Sequence, residues 1–438
     1  FSINHIWLFF IIILFRLTPA TADFSYFMLA AYALFGRQQI ILALFLLWLF
    51  SMLNSELVPS ANYSSFSKFI TILTCFFSIL IRFNFVKIDK IILSTFGLGF
   101  FLVVHGYYFS QIPAISILKA LNWTAVTIIL LLTWNDMNFY EREKTKNLLI
   151  TFLLIIVLIS LAFLLFSDFG YELNSRYFQG ILNHSMSFGL TAGSLLVLLL
   201  VKLFRHNRFK LFFLINILIC IALVLASGSR TSGLALISAV LILLILFPLL
   251  NIYKFKILPH ILINRLFFLI MSTLVVLMLI FNNTVMSVFS NFVMKTDKIN
   301  FNNLLLSYKS ARSVLYEPMI DNIVKNPNKG IGFGVASDPS SMRIKYFKNI
   351  PVSAPIEKGV LPLLILEEVG IYGFVFFVIW ILMLLIRANT NGSGSLFVLI
   401  TLFMFNLGEA GLFSPNGFGM LYLILLTSVV TKPIKINF

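Results

Sequence analysis

Residues 147–166 read NLLITFLLIIVLISLAFLLF, a run of 20 residues without a charged side chain. As an α-helix this run would be about 30 Å long, which matches the thickness of the hydrocarbon core of a bilayer. The run therefore predicts a membrane-spanning helix. Other apolar runs recur along the chain, so this span is one of a series.

The composition also favours a polytopic membrane protein. Of the 438 residues, 60% are hydrophobic and 11% are charged, and the mean hydropathy is +1.00. A soluble domain carries roughly a quarter charged residues. The pattern predicts an all-α polytopic membrane protein with about 12–14 transmembrane helices, the first two short runs forming either two spans or one broken span. The apolar runs fall near residues 5–18, 23–36, 39–54, 66–82, 91–107, 113–133, 147–166, 185–203, 210–226, 231–250, 264–281, 359–386, 394–409 and 416–431. The first run leads directly into further spans, so we expect no cleavable signal peptide.

One long polar insertion divides the chain into three parts. We expect about eleven transmembrane helices in residues 1–281, a large periplasmic loop in 282–358 and about three helices in 359–438. Of the lysines and arginines in alternate loops, 17 lie in one set and 5 in the short loops of the other. Because cytoplasmic loops carry the positive excess, the first set is predicted to be cytoplasmic and the insertion to lie outside. The same bias explains the net charge of +16 without nucleic-acid binding.

The insertion 281–358 is basic, with ten lysines and arginines against five acidic residues. Apolar residues at helical spacing predict an amphipathic helix over 303–325, on or near the membrane surface, with a kink or break at Pro318. A turn and three alternate glycines in 326–334 end this helix and permit close backbone approach. Residues 335–355 are predicted to be irregular.

Three arginines on the predicted outer side are candidate phosphate ligands. Arg176 lies just before a span, Arg230 lies in the turn SGSRTSG at 227–233, and Arg312 lies on the amphipathic helix. Guanidinium groups bind phosphate oxygens bidentately and stay charged, so several in one cleft suit a pyrophosphate. The turn is also predicted to leave free N–H groups at the start of a span. The alternatives are that Arg176 and Arg230 reach lipid headgroups and that Arg312 lies on a solvated helix face.

Carboxylates after the insertion are candidates for acid–base chemistry. Glu357 is a candidate general base beside Lys358; the alternative is a pair that anchors the chain at the interface. Glu367 and Glu368 point to different faces of the next span, so we expect at most one to face the cleft and a salt bridge to an arginine to hold either. His184 is a candidate donor to a phosphate or sugar, or a capping or packing residue. The histidines and cysteines show no ligand spacing, so we expect no metal site and no cofactor.

Four short segments share their pattern with a known family. They are RYFQGILNHSMSFG at 176–189, SGSRTSG at 227–233, the stretch from Arg312 to GIGFG at 330–334, and LEEVGIYG at 366–373. Together they resemble the O-antigen ligase and O-antigen polymerase superfamily of bacterial polytopic membrane glycosyltransferases. The resemblance covers roughly residues 170–375.

The resemblance implies a glycan donor on undecaprenyl pyrophosphate at the periplasmic face of the bacterial inner membrane. Glu357 and Arg312 would be the catalytic residues, with Glu368 and Tyr316 in support. The side chains that would bind the pyrophosphate are Arg176, Arg230, Arg312, His184 and Lys358. No metal is required, because arginines neutralise the leaving group. No nucleotide site is required, because the energy comes from the phosphoester bond of the donor.

Three functions are open at this point. Ligases of the family carry a His-Asn pair before the glutamate segment, whereas residues 355–360 here read PIEKGV. This favours a repeat-unit polymerase with Glu357 in place of the imidazole over a ligase that moves glycan to lipid A core or protein. The third function is transport of a lipid-linked or anionic sugar, although the spans between 185 and 281 are almost free of charge away from their ends and show no repeat. Expected partners are the lipid-linked donor, a glycan or lipid-linked acceptor, membrane lipids and export or chain-length proteins, but no nucleic acid.

Overall fold

The computed structural model describes residues 6–59, 64–83, 88–171, 177–205, 210–251, 304–347, 350–354, 358–415 and 417–433. The longer helices are α1 (Ile6–Leu17), α2 (Ala22–Ala33), α3 (Arg37–Met52), α4 (Ser64–Arg82), α5 (Lys90–Phe109), α6 (Pro113–Asp136), α7 (Phe139–Ala162), α8 (Ser185–Arg205), α9 (Lys210–Ala226), α10 (Arg230–Leu250), α11 (Leu304–Lys325), α12 (Leu361–Thr390), α13 (Ser393–Phe405) and α14 (Gly419–Val430). A two-stranded antiparallel hairpin, β1 (Lys345–Phe347) and β2 (Ile350–Ser353), lies between α11 and α12.

Six helices among the described residues are long and apolar enough to cross a membrane. They are α5, α6, α7 with the turn that follows it, α8, α10 and α12. This confirms a multi-pass, predominantly helical membrane protein. The span predicted near 264–281 lies outside the described residues, as does most of the insertion before α11.

Several predicted spans are shorter apolar helices that lie inside the bundle. In α14 every residue is buried, and in α3 the run from Ile40 to Phe50 is buried without interruption. A helix surrounded by protein need not match the thickness of the hydrocarbon, because its ends meet other helices rather than lipid. Composition alone does not distinguish such a buried helix from a lipid-facing span. The predicted 12–14 transmembrane helices therefore include buried helices as well as lipid-facing ones.

The first two apolar runs form two short helices separated by a turn. Each has 12 residues and is about 18 Å long, too short to cross the hydrocarbon core alone. A turn closed by the bond from Thr21 N to Thr18 O (3.2 Å) separates them. The Arg16 guanidinium fixes the end of α1 by donating to Pro59 O at 2.6 Å.

Polar contacts gather the loops that were predicted to be cytoplasmic at one end of the bundle, here called the basic end. Arg387 Nη2 lies 3.0 Å from Asp89 Oδ2. Arg142 donates to the carbonyls of Asn135 at 3.1 Å and Lys432 at 2.5 Å. These loops come from distant parts of the sequence, yet they share one end, as the charge bias requires.

The opposite end of the bundle, here called the cavity end, is tied together by backbone hydrogen bonds. Asn183 N donates to Met52 O at 2.7 Å, and this bond joins the end of α3 to the start of α8. Gln111 N donates to Ile331 O at 2.9 Å, which joins the loop after α5 to the segment after α11. Leu361 N donates to Asn406 O at 3.0 Å. The loops that carry the family-like segments therefore lie together at this end.

Helix α12 is interrupted at Gly370, whose φ of 62° and ψ of −168° are not helical. The interruption frees carbonyl groups of the preceding turn, and the segment 326–334, here called the glycine loop, binds them. Ile331 N donates to Glu367 O at 2.9 Å and Gly332 N donates to Glu368 O at 2.8 Å. Because free carbonyls in an apolar interior are costly, the glycine loop and the first part of α12 stabilise each other.

Glycine is required where the two segments touch. A Cβ on Gly330 would lie 2.5 Å from the backbone carbon of Glu368, and one on Gly370 would lie 2.2 Å from Asn328 O. Both residues also have positive φ. The predicted close backbone approach is therefore confirmed, and its partner is the backbone of α12.

The amphipathic helix was predicted correctly in its limits but not in its details. Helix α11 continues through Pro318 without interruption. Of its side chains described from Leu315 onward, Met319 is buried, whereas Ile320 on the predicted apolar face is 47% exposed. The prediction that residues 335–355 are irregular was wrong, because β1 and β2 pair there. Three or four residues per strand are too few for a clear alternating pattern.

Candidate functional site

A cavity of about 390 Å³ lies at the cavity end. Its walls come from the end of α3, from α6, from the start of α8, from the glycine loop, from the first part of α12 and from the segment 409–418. The lining residues are Met52, Lys119, Asn183, His184, Met186, Ser187, Leu190, Phe333, Gly334, Lys358, Leu364, Glu368, Glu409, Ala410, Gly411, Phe413, Ser414 and Phe418. Three predicted site residues, His184, Lys358 and Glu368, are among them.

The cavity lies toward one end of α12. The part of α12 from Gly370 to its end at Thr390 is about 30 Å long, which is enough to cross the hydrocarbon core by itself. Glu368 lies just before this stretch, and Arg387 of the basic end lies near its other end. The charged groups of the cavity are therefore near one end of this span rather than near its middle.

A buried ion cluster supports the wall formed by α12. Lys358 Nζ lies 2.7 Å from Glu367 Oε2 and 3.1 Å from Glu368 Oε1, and all three side chains are at most 2% exposed. The sequence analysis predicted an arginine as the partner of these glutamates, and this was wrong. Their partner is Lys358, which lies three residues before the first residue of α12. Lys358 is also buried, so it is not an interfacial anchor.

The two adjacent glutamates have different further partners. Glu367 Oε1 accepts a hydrogen bond from Asn322 Nδ2 of α11 at 2.8 Å. Glu368 Oε2 accepts one from Gly334 N of the glycine loop at 2.6 Å. Glu368 lines the cavity and Glu367 does not, in agreement with the expectation that at most one of them faces the cleft.

Lys119 is a lining residue to which the sequence analysis gave no role. Its Nζ donates to Gly334 O at 2.6 Å. The available signal was a single lysine within the apolar run 113–133, because a charge in such a run is a functional candidate by default. It was counted only as one of the five charges of the outer loops.

His184, Asn183 and Glu409 complete the polar part of the lining. His184 precedes α8, and its Nδ1 accepts a hydrogen bond from Met186 N at 3.2 Å. This contact agrees with a capping role for the imidazole, and it leaves Nε2 as the nitrogen for any other partner. Glu409 comes from the segment after α13.

The turn that carries Arg230 packs directly behind the start of α8. A Cβ on Gly189 would lie 2.2 Å from Ser229 Cβ, and Ser229 precedes Arg230 at the start of α10. Arg230 itself is half-buried and does not line the cavity.

Several backbone N–H groups of this turn, which were predicted to be free, donate hydrogen bonds to other atoms of the same segment. Arg230 N donates to Gly228 O at 3.0 Å, and the amides of Ser232 and Gly233 donate to Ser229 O at 3.2 and 3.4 Å. Ser229 N donates to Ser227 Oγ at 3.3 Å. The prediction was therefore wrong for the amides of Ser229, Arg230, Ser232 and Gly233.

Other predicted site residues lie outside what the structure describes. Arg176 and Glu357 fall between the described ranges. Arg312 lies in α11, but the side chains of this helix are described only from Leu315 onward. Tyr316 is partly buried against the core. The three-arginine clamp and the base therefore stay predictions. Among the described residues no group of three or more His, Cys, Asp or Glu side chains could hold a metal ion.

The chain matches no protein-family model and no curated protein sequence. The resemblance to the O-antigen ligase and polymerase superfamily therefore also stays a prediction.

Proposed function

We propose that this protein is a polysaccharide repeat-unit polymerase that transfers a glycan from undecaprenyl pyrophosphate to a sugar hydroxyl at the periplasmic face of the bacterial inner membrane. The observation that supports this most is the convergence of separate family-like segments on one cavity. The first segment supplies His184, the glycine loop supplies Gly334 and the start of α12 supplies Glu368. The turn 227–233 packs behind the first of these segments at Gly189.

The lining of the cavity suits a donor that is both charged and lipid-linked. Lys119 and Lys358 supply two ammonium groups, of which that of Lys358 is paired with the carboxylates of Glu367 and Glu368. Apolar surface comes from Met52, Leu190 and Phe418. A polyprenyl pyrophosphate has the same division, with phosphate oxygens next to a hydrocarbon chain. Its phosphates lie at the membrane interface, and a cavity near one end of a membrane-spanning helix is in a suitable place to receive them.

The proposed reaction breaks one bond and forms one. The acceptor hydroxyl oxygen attacks the anomeric carbon, the bond from that carbon to the phosphate oxygen breaks, and the pyrophosphate leaves on its lipid. Glu357 takes the hydroxyl proton, and the configuration at the anomeric carbon inverts. Arg176 and Arg312 stabilise the charge that develops on the leaving pyrophosphate. Arg230, which does not line the cavity, would act on that charge from behind the start of α8.

The geometry favours this reaction over transport. A transporter binds its substrate near the middle of the bilayer, often at a broken helix. Helix α12 is broken at Gly370, but the break lies about 30 Å from the other end of the helix and is occupied by the glycine loop. A site at one interface suits an enzyme that works on one face of the membrane.

The experiment that separates the candidates is deletion of the gene followed by electrophoresis of the surface polysaccharide. Loss of a polymerase leaves single repeats on lipid A. Loss of a ligase leaves no polymer on lipid A and lets lipid-linked polymer accumulate. An unchanged polysaccharide profile contradicts both.

Arg230→Ala and Arg312→Ala are each expected to abolish detectable polymer while the protein still inserts. Removing one preorganised donor to a developing charge costs about 100- to 1,000-fold in rate. The measurement is polymer length in a deletion strain that expresses each variant at wild-type level. Arg82→Ala at the basic end is the matched control, because Arg82 donates to the Leu34 carbonyl far from the cavity. Normal polymer from both variants would rule out the pyrophosphate clamp.

Glu357→Gln is expected to lower the transfer rate by about 100-fold or more, because an amide does not accept the hydroxyl proton. The rate is measured with purified protein and a lipid-linked repeat unit. Glu317→Gln, on the exposed surface of α11, is the control. Full turnover by Glu357→Gln would eliminate Glu357 as the base.

A further inference from the structure

Lys119 brings a cation to the cavity from a part of the chain that the family resemblance does not cover. It lies in the second turn of α6, whereas the family-like segments begin near residue 170. Its Nζ donates to Gly334 O at 2.6 Å. An ammonium group has three N–H donors, and among the described residues this bond uses one of them.

The two lysines of the cavity contact two residues, Gly334 and Glu368, that are hydrogen-bonded to each other. Lys119 binds the carbonyl of Gly334, Lys358 binds the carboxylate of Glu368, and Gly334 N donates to that carboxylate. Lys358 is matched by two carboxylates, because Glu367 also contacts it. Lys119 contacts a neutral carbonyl directly and offsets the charge of Glu368 only from a distance, so an anion in the cavity could be its direct ionic partner.

The glycine loop leaves room for the stem of this lysine. A Cβ on Gly334 would lie 2.3 Å from Lys119 Cδ. Gly334 also has a φ of 69°, which side chains rarely adopt. The loop therefore places its carbonyl against Lys119 and obstructs neither the stem nor the ammonium group.

From this geometry we propose that Lys119 binds a phosphate oxygen of a pyrophosphate in the cavity. The attribution of that pyrophosphate to a lipid-linked glycan donor rests on the proposed function; the phosphate contact does not. A compact ammonium on a flexible stem is a suitable ligand for one phosphate oxygen.

The test is equilibrium binding of inorganic pyrophosphate and of undecaprenyl pyrophosphate to the full chain in nanodiscs. Lys119→Met is expected to raise the Kd for both probes by roughly 10- to 100-fold, as for the loss of a charged hydrogen bond. Lys119→Arg is expected to retain most of the affinity. Lys329→Met is the matched control, because Lys329 is exposed on the same glycine loop and lies over the Phe109 ring at 4.7 Å, outside the cavity lining.

Several results would overturn the assignment. They are wild-type affinity of Lys119→Met for both probes, an equal loss in the Met and Arg variants, a loss confined to the lipid-linked probe, and no binding of pyrophosphate by the wild type. Thermal melting of each variant separates a structural defect from a binding defect, because a purely structural lysine would lower the melting temperature and leave the Kd of the folded protein unchanged.

A transfer assay on the wild type distinguishes this inference from the proposed function. Lys119-dependent pyrophosphate binding without transfer would refute the polymerase and leave the phosphate site. Glycan transfer together with pyrophosphate binding that does not depend on Lys119 would refute the phosphate site and leave the polymerase.

Discussion

Lys358→Met is expected to lower the free energy of unfolding by about 3–5 kcal/mol, the usual cost of removing one partner from a buried ion pair. Lys358 Nζ contacts Glu367 and Glu368 at 2.7 and 3.1 Å, and none of the three side chains reaches solvent. Without the ammonium group two adjacent carboxylates would share a buried site with no direct ionic partner, and only Lys119 would act on Glu368 from a distance. The measurement is unfolding in mixed detergent, followed by circular dichroism.

Two further variants test the reason for this loss. Lys329→Met removes an exposed lysine from the same end of the molecule and is expected to change the free energy by less than about 1 kcal/mol. Combining Lys358→Met with Glu367→Gln and Glu368→Gln removes both carboxylates and is expected to restore most of the stability. The amide oxygens can still accept from Asn322 and Gly334. A triple variant as unstable as Lys358→Met would contradict the charge argument.

Gly370→Ala is expected to destabilise the protein by about 3 kcal/mol or more. Its φ of 62° with ψ of −168° lies in a region essentially reserved for glycine, which costs a side chain about 1–3 kcal/mol. The new Cβ would also lie 2.2 Å from Asn328 O, a backbone atom that can move only with the glycine loop. Overpacking of this kind costs about a further 1–3 kcal/mol. Unfolding in mixed detergent measures the change.

Two other glycines separate the contributions. Gly392 has a φ of 112° but nothing within 4 Å of a new Cβ, so Gly392→Ala reports backbone strain alone. Gly97 lies within α5 and also has nothing within 4 Å, so Gly97→Ala is expected to be neutral or slightly stabilising. Equal effects at Gly370 and Gly392 would show that the contact with Asn328 contributes nothing.

Much of the helical framework was predictable because apolar runs bounded by polar residues are explicit in the sequence. The run predicted at 185–203 is α8 (Ser185–Arg205), and the run at 359–386 is α12. The grouping of the positive loops at one end also followed from their charge. The burial of α14 was not predictable, because an apolar helix has the same composition whether lipid or protein surrounds it.

The site was predictable only in part, because its contacts join residues far apart in the chain. The sequence indicated Glu368 as a charge within a span, but its bonds to Lys358 and Gly334 depend on how the glycine loop folds back. Lys119 is more than 200 residues from the carbonyl that it binds. No local pattern of residues reports such a pairing.

The complete burial of α14 has a consequence for how the molecule is made. This helix follows every other described helix in the chain, yet it occupies the interior, so the bundle cannot complete its packing until synthesis reaches residue 430. Phe418, just before α14, lines the cavity, so one wall of the cavity also forms last.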